Sequence, residues 1–424
     1  MRVPLLTLAA VLALHAADER QLALLLQAQT DFNRVQAAAM PQLQDTEACI
    51  QSQASVLPVS APDERPLILF RKGYCALAGA AIGQDPVQFG LAAASFDQAV
   101  EAWPARAVAA SKQKLAPPPV PSALLVFEVL SHMERNPAEL PTDAEEAQLA
   151  AAVDHPACAS VVLKPDSCQG AIQLGNLWLG WIAWRRGDSI TAARLFSSGP
   201  ISGWPHWMEG QQAFRAGDYK VAAARYGEAF DLWREPARQV VQLLNPLPDT
   251  APMLTEFGEA QLLAGNAPAA LATLDAAVKA DSASARAIYL RGRAREAAGQ
   301  ADAAMGDYNL ASRTAFAAAA GRSSGEAHLY RGILLYRSKD WPRAEDEFAD
   351  ALNFDIPAAM KSDATAWRHL AAVASGSCGA SRAYLEQSLA AVSPDFPKDD
   401  ARSALAACGA AGSAGSPLAW SVLK

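Results

Sequence analysis

Five times in the second half of the chain a glycine is followed, at fixed steps, by a turn residue, an alanine, a large side chain and another small residue. The series begins at Gly180, Gly210, Gly258, Gly292 and Gly332, and seven residues on stand Gly187, Gly217, Gly265, Gly299 and Lys339. Five further come Ala192, Ala222, Ala270, Ala304 and Ala344, then after four more Phe196, Tyr226, Leu274, Tyr308 and Phe348. Gly199, Ala229, Ala277, Ala311 and Ala351 close each set. Small residues let two antiparallel helices approach closely, and the large side chain fills the seam between them and their neighbours. A glycine in the turn supplies a left-handed helix cap without a Cβ clash. Such a lattice predicts a stack of helical hairpins.

The motif Leu179, Gly180, Ala192 and Phe196 resembles the tetratricopeptide signature, and Gly258 to Gly292 spans that family's 34-residue period. Two repeats agree beyond the motif, Trp184-Arg185-x-Gly187-Asp188 against Phe214-Arg215-x-Gly217-Asp218, and Tyr336-Arg337-x-Lys339-Asp340 echoes them. The resemblance implies an all-α chain wound as an alpha-alpha superhelix, binding a protein or peptide partner in its concave groove. One chaperone-binding subset of the family uses a Lys and Asn clamp for carboxylates. This chain lacks Asn at the matching positions, so that specificity is not implied. No run of alternating β-branched residues competes with a helical reading.

Residues 1–17 read as a secretory signal peptide, with Arg2 before an apolar run and Ala16-Ala17 as a small-residue cleavage site. The run is shorter than the ~18–20 residues of a membrane-spanning helix. Export to the periplasm or beyond makes an even set of cysteines more consistent with crosslinks than with thiols. The six cysteines fall in three pairs close in sequence, Cys49 with Cys75, Cys158 with Cys168 and Cys378 with Cys408. Three bridges are expected, stapling the hairpins.

Residues 18–116 form an N-terminal helical region, with a long opening helix from Asp18 to Ile50 and a degenerate first repeat around Ala92, Phe96 and Ala99. Residues 117–169 hold a proline-forced linker, a helix pair with Thr142 as N-cap, and the disulfide loop. The repeat array occupies 170–356, capping helices 357–411, and a loose tail 412–424. The steps from Gly210 to Gly258 and from Gly292 to Gly332 carry insertions, expected as loops or an extra helical stretch.

Without Arg2 the chain has 35 basic against 44 acidic residues, a net charge of minus nine. No basic cluster is visible, which argues against nucleic acid, whose phosphates demand one. No nucleophile, phosphate-loop or zinc-hydrolase motif is present, so neither an enzyme nor a cofactor or metal is expected. A protein or peptide partner is the remaining expectation, with no stable membrane insertion of the mature chain. The alternative is an envelope enzyme or glycan-binding accessory that uses the helices as scaffold.

If each lattice glycine faces its partner helix, the residues one and four beyond it face the groove. These include Trp181, Trp184, Gln211, Phe214, Arg293 and Tyr336, joined by Trp204, Trp207, Arg286 and Tyr289 and followed by Arg185, Arg215 and Arg337. Aromatic plates beside guanidinium groups suit a peptide, the ring giving contact area and the cation gripping carboxylates or carbonyls.

Overall fold

A computed structural model describes residues 5–135, 139–158, 165–198, 202–246, 248–314 and 321–411. The described residues contain helices and no strands. They divide into two compact units, residues 1–208 with 228–247 and residues 209–227 with 248–424.

The first unit opens with α1 (Leu5–Ala37) and α2 (Leu43–Val56). The single helix expected from Asp18 to Ile50 is therefore broken at 38–42, where Pro41 has no N–H to continue the ladder. A disulfide between Cys49 and Cys75, Cα atoms 6.1 Å apart, ties α2 to α3 (Arg65–Gly83). Antiparallel to α3 runs α4 (Pro86–Ala102), and a Cβ at Gly73 would stand 2.7 Å from the Phe96 ring. The degenerate repeat thus makes the same glycine-to-aromatic contact as the clear ones. Phe70, Phe96 and Phe127 pack around it.

After α5 (Pro104–Lys112) the chain is irregular through the prolines, then forms α6 (Ser122–Arg135) and α7 (Asp143–Asp154). Thr142 caps α7 as expected, in a reciprocal capping box with Glu145. The Cys158–Cys168 bridge precedes the hairpin of α8 (Pro165–Arg185) and α9 (Ser189–Ser197), where Gly180 lies against Phe196. The N-terminal part of α10 (Trp204–Arg215), the C-terminal part of α11 (Tyr219–Arg234) and the short α12 (Val240–Leu243) complete this unit. Both α11 beyond Ala229 and α12 belong to the insertion after Gly210, which is a helical stretch.

In the second unit Gly210 lies against Tyr226, and three further hairpins follow: α13 (Thr250–Leu263) with α14 (Ala267–Ala280), α15 (Ala285–Ala297) with α16 (Ala301–Thr314), and α17 (Gly321–Arg337) with α18 (Trp341–Leu352). A Cβ added at Gly258, Gly292 or Gly332 would fall 2.5–2.6 Å from Leu274, Tyr308 or Phe348. Each hairpin packs on the next, and first helices also touch first helices. These are tetratricopeptide-like helical hairpins.

The five lattice turns close alike. Gly187, Gly217, Gly265 and Gly299 have φ of 78–83°, and Lys339 takes the same conformation at φ 67° despite its Cβ. At Gly299 the amide donates to the Glu296 carbonyl and the next amide to the Arg295 carbonyl five residues back, and Lys339 and Asp340 repeat this on Tyr336 and Leu335. Asp188, Asp218 and Asn266, directly after their turn glycines, cap the following helix through their side chains. A further turn of this kind, at Gly376 with φ 98°, joins α19 (Ala358–Ala374) to α20 (Gly379–Ser388). The Cys378–Cys408 bridge then holds α21 (Lys398–Ala411). The expected tail at 412–424 and the start of the leader at 1–4 lie outside the described residues.

Candidate functional site

In the first unit the expected groove tryptophans prove to be core. Trp204 and Trp207 are fully buried and Trp181 nearly so. Trp204 stacks on Phe196 with ring centroids 5.1 Å apart and meets Trp184 and Trp233 at 5.1 and 5.3 Å. Its indole N–H donates to the Pro246 carbonyl at 3.0 Å, and that of Trp178 donates to Leu244 at 2.7 Å. Two indoles thus anchor the irregular segment after α12. Desolvating an indole is tolerable because its single donor finds an acceptor. An alanine-rich hairpin offers little volume of its own, so these rings are what fills the space beneath the insertion. Trp184 remains half-buried, and Arg185 is exposed with its guanidinium 5.1 Å over the Trp181 ring.

In the second unit the face shared by successive first helices is polar and largely self-paired. Arg286 on α15 reaches Glu259 on α13 and Glu326 on α17, and Arg322 also bonds Glu326 at 2.9 Å. Glu326 is almost wholly enclosed, so these cations compensate a buried charge. Although burial opposes its charge, the two carboxylates hold the Arg286 pKa above its ordinary value. Arg337, exposed, pairs with Glu296 at 2.7 Å, and Glu296 also accepts from the Tyr308 hydroxyl at 2.8 Å. Glu256 accepts from Tyr226 at 2.6 Å and, more weakly, from Gln211 at 3.4 Å. A shallow pocket bounded by Thr255, Glu256, Glu259, Ser284 and Arg286 opens beside this network.

Arg293 differs from its neighbours. Its guanidinium lies 3.6 Å from the centre of the Tyr330 ring and donates at 3.4 Å to the Tyr289 hydroxyl, and among the described residues no carboxylate stands within ion-pair distance. Tyr289, expected in the groove, is buried and serves as the wall behind it. Phe214 and Tyr336 are half-buried, packed edge-on against Tyr219 and Trp367, and Arg215 is exposed. The structure therefore gathers Arg286, Tyr289, Arg293 and Arg337 on one face of the second unit. Trp181, Trp204, Trp207 and Tyr289 are buried.

A second lattice accompanies the first. At three of the lattice glycines the preceding residue pairs with the residue before the large side chain of the paired helix: Arg331 with Glu347, Arg291 with Asp307 at 2.8 Å, and, with the charges exchanged, Glu209 with Arg225 at 3.1 Å. In the first unit the same offset gives Leu179 and Leu195, both buried. The signal for these pairs in the sequence is the recurrence of opposite charges at the same two offsets, which the expected groove set does not include.

No family model matches this chain, and no curated protein matches it. Among solved structures, MamA from Desulfovibrio magneticus RS-1 is 20% identical, covering 43% of this chain and 94% of its own, with a TM-score of 0.32. A signal-transduction ATPase of Pyrococcus horikoshii with a tetratricopeptide repeat sensor is 12% identical over 85% of this chain and 52% of its own, TM-score 0.40. A tetratricopeptide repeat-containing protein of Cytophaga hutchinsonii is 13% identical over 74% of this chain and 95% of its own, TM-score 0.25. At such scores any functional reading rests on the residues of this chain.

Proposed function

We propose that this chain is an exported, non-enzymatic adaptor whose second unit binds an acidic peptide segment of a partner protein along the face of its first helices. The observation that carries the reading is Arg293, a half-buried guanidinium resting on Tyr330 with no carboxylate of its own beside it. A desolvated cation without a counter-ion gains most from a ligand carboxylate, since a charge-assisted hydrogen bond contributes about 1.5–3 kcal/mol. Around it the neighbouring arginines are already engaged by Glu259, Glu326 and Glu296, which leaves Arg293 as the position that discriminates acidic from neutral partners. Three disulfides support an oxidising compartment, the periplasm or the exterior. Among the described residues no helix is long and apolar enough to cross a membrane.

Enclosure of Trp181, Trp204 and Trp207 favours this reading over a glycan-binding one, which would need those rings as open stacking plates. The test is an array of peptides rich in Glu and Asp beside their Gln and Asn counterparts. Arg293→Gln should weaken binding of the acidic set at least tenfold while Arg215→Gln leaves it within a factor of about two. Equal binding of acidic and neutral peptides, or indifference to Arg293→Gln, would refute the proposal.

A further inference from the structure

We infer a divalent metal site on the α17–α18 hairpin, formed by His328, Glu347 and Asp350. Glu347 and Asp350 lie three residues apart on α18 and so share one face, while His328 comes from the antiparallel helix α17. His328 Nδ1 stands 2.8 Å from Glu347 Oε2 and 3.9 Å from Asp350 Oδ2, and one ligand atom from each residue falls within 4.8 Å of the others. Ligand atoms about 2.0–2.2 Å from a tetrahedral zinc ion are roughly 3.3–3.6 Å from one another. Opening the first separation and closing the second by about half an ångström each, with the Glu347 and Asp350 oxygens drawn together from within 4.8 Å, gives three corners of such a tetrahedron, with the fourth left to solvent. Rotation about side-chain torsions suffices for this, because Asp350 is 55% exposed.

The surroundings hold two of the three ligands in place. Arg331 bonds the other oxygen of Glu347, Oε1, and itself donates to Asn309 at 2.6 Å, so Oε2 is the oxygen turned toward His328. The His328 ring stacks on Phe354, centroids 5.5 Å apart and 18° from parallel, which fixes its plane. Outer partners of this sort orient ligands in metal sites. Arg331 also chooses the metal. Two carboxylates and one guanidinium leave the cluster with a net charge near minus one, poor for Ca²⁺ or Mg²⁺, which depend on accumulated oxygen charge, whereas an imidazole nitrogen suits Zn²⁺ and Co²⁺. A metal on Nδ1 takes that nitrogen's lone pair, which leaves the imidazole proton on Nε2.

His206 and Glu228 sit at the corresponding offsets in an earlier hairpin, 3.0 Å apart, but there Arg225 occupies the position of Glu347. That pair is a built-in control, because a histidine and one carboxylate are present without the third ligand.

The experiment uses the mature, untagged, oxidised chain. Since all six cysteines are in disulfides, thiolate ligation does not compete. Titration with Co²⁺ should give visible d–d bands at a stoichiometry of one, and isothermal titration with Zn²⁺ should show one site that Mg²⁺ and Ca²⁺ do not displace. His328→Gln and Asp350→Asn should each lower Zn²⁺ affinity at least about tenfold, and His206→Gln should not. Asp350→Asn changes an exposed side chain and leaves the fold intact, so its result is interpretable even if His328→Gln unfolds the hairpin. Absence of Co²⁺ bands, or affinity unchanged in Asp350→Asn, would overturn the assignment.

Discussion

Gly292 and Gly306 lie on the two paired helices of one hairpin, α15 and α16, and replacing each by alanine should shift stability in opposite directions. A Cβ at Gly292 would stand 2.6 and 2.8 Å from two atoms of the Tyr308 ring and 3.2 Å from the Asp307 Cβ. Carbon contacts are comfortable at about 3.5–4.0 Å, so the overlap approaches an ångström. Tyr308 cannot swing aside, being fully buried with its hydroxyl held by Glu296 at 2.8 Å. Overpacking costs about 1–3 kcal/mol, here at the upper end, against about 1 kcal/mol gained in helix propensity. The net expectation is a loss of about 2 kcal/mol. At Gly306 an added Cβ meets nothing within 4 Å, so only the propensity gain remains, about 0.8–1 kcal/mol of stabilisation. Urea denaturation followed by circular dichroism, with amide exchange resolved over residues 285–314, reads both. In the Gly292→Ala background, Tyr308→Ala should cost at least 1 kcal/mol less than it does alone, the signature of two groups in contact. Two alanine variants that shift in the same direction, or strictly additive Gly292 and Tyr308 effects, would refute the reasoning.

Two further outcomes follow from local geometry. His132 on α6 has Nδ1 2.9 Å from Glu145 and Nε2 2.9 Å from Asp97, and only the imidazolium can donate to both. Burial pulls its pKa down, but the two carboxylates outweigh this and raise it, while burial pushes Glu134 on the same helix up to about 7. A raised histidine contributes stability below its unfolded value that is lost as pH climbs through the folded one, and a raised carboxyl loses stability from its unfolded value upward. Both signs agree, so the melting temperature should fall from pH 4.5 to about 7 through Glu134 and above pH 6.5 through His132, with the lower part of the fall reduced in Glu134→Gln and the upper part in His132→Gln. At the last turn of the array, Lys339→Gly should stabilise by about 0.5–1 kcal/mol in urea denaturation, because a side chain at φ 67° bears a steric penalty that glycine avoids.

Hairpin geometry was legible in the sequence because its determinants are local. Turn glycines lie seven residues from the lattice glycines, about two helix turns, and the large side chain that each glycine accommodates is carried by the very next helix. Proximity in sequence was enough to pair the cysteines correctly. Even so, the reading missed the break at Pro41, where good helix formers on both sides masked the lost amide, and it missed the contact of Gly73 on Phe96, since a single glycine outside the regular array carries no period.

Exposure was not legible, and for a physical reason. Which side of a helix is open depends on what the chain brings back from elsewhere. Trp178 and Trp204 are enclosed by carbonyls at Leu244 and Pro246, 66 and 42 residues away in an insertion with no repeat to announce it. Arg286 is paired only because α13 and α17 deliver Glu259 and Glu326 from both flanks, and Arg293 is left without such a partner about two turns along the same helix. Spacing along the chain determined how each helix pair closes, since those forces act across one turn. Packing between pairs decided which rings became core and which cation stayed available, since burial and charge compensation are set by neighbours that the local period does not encode.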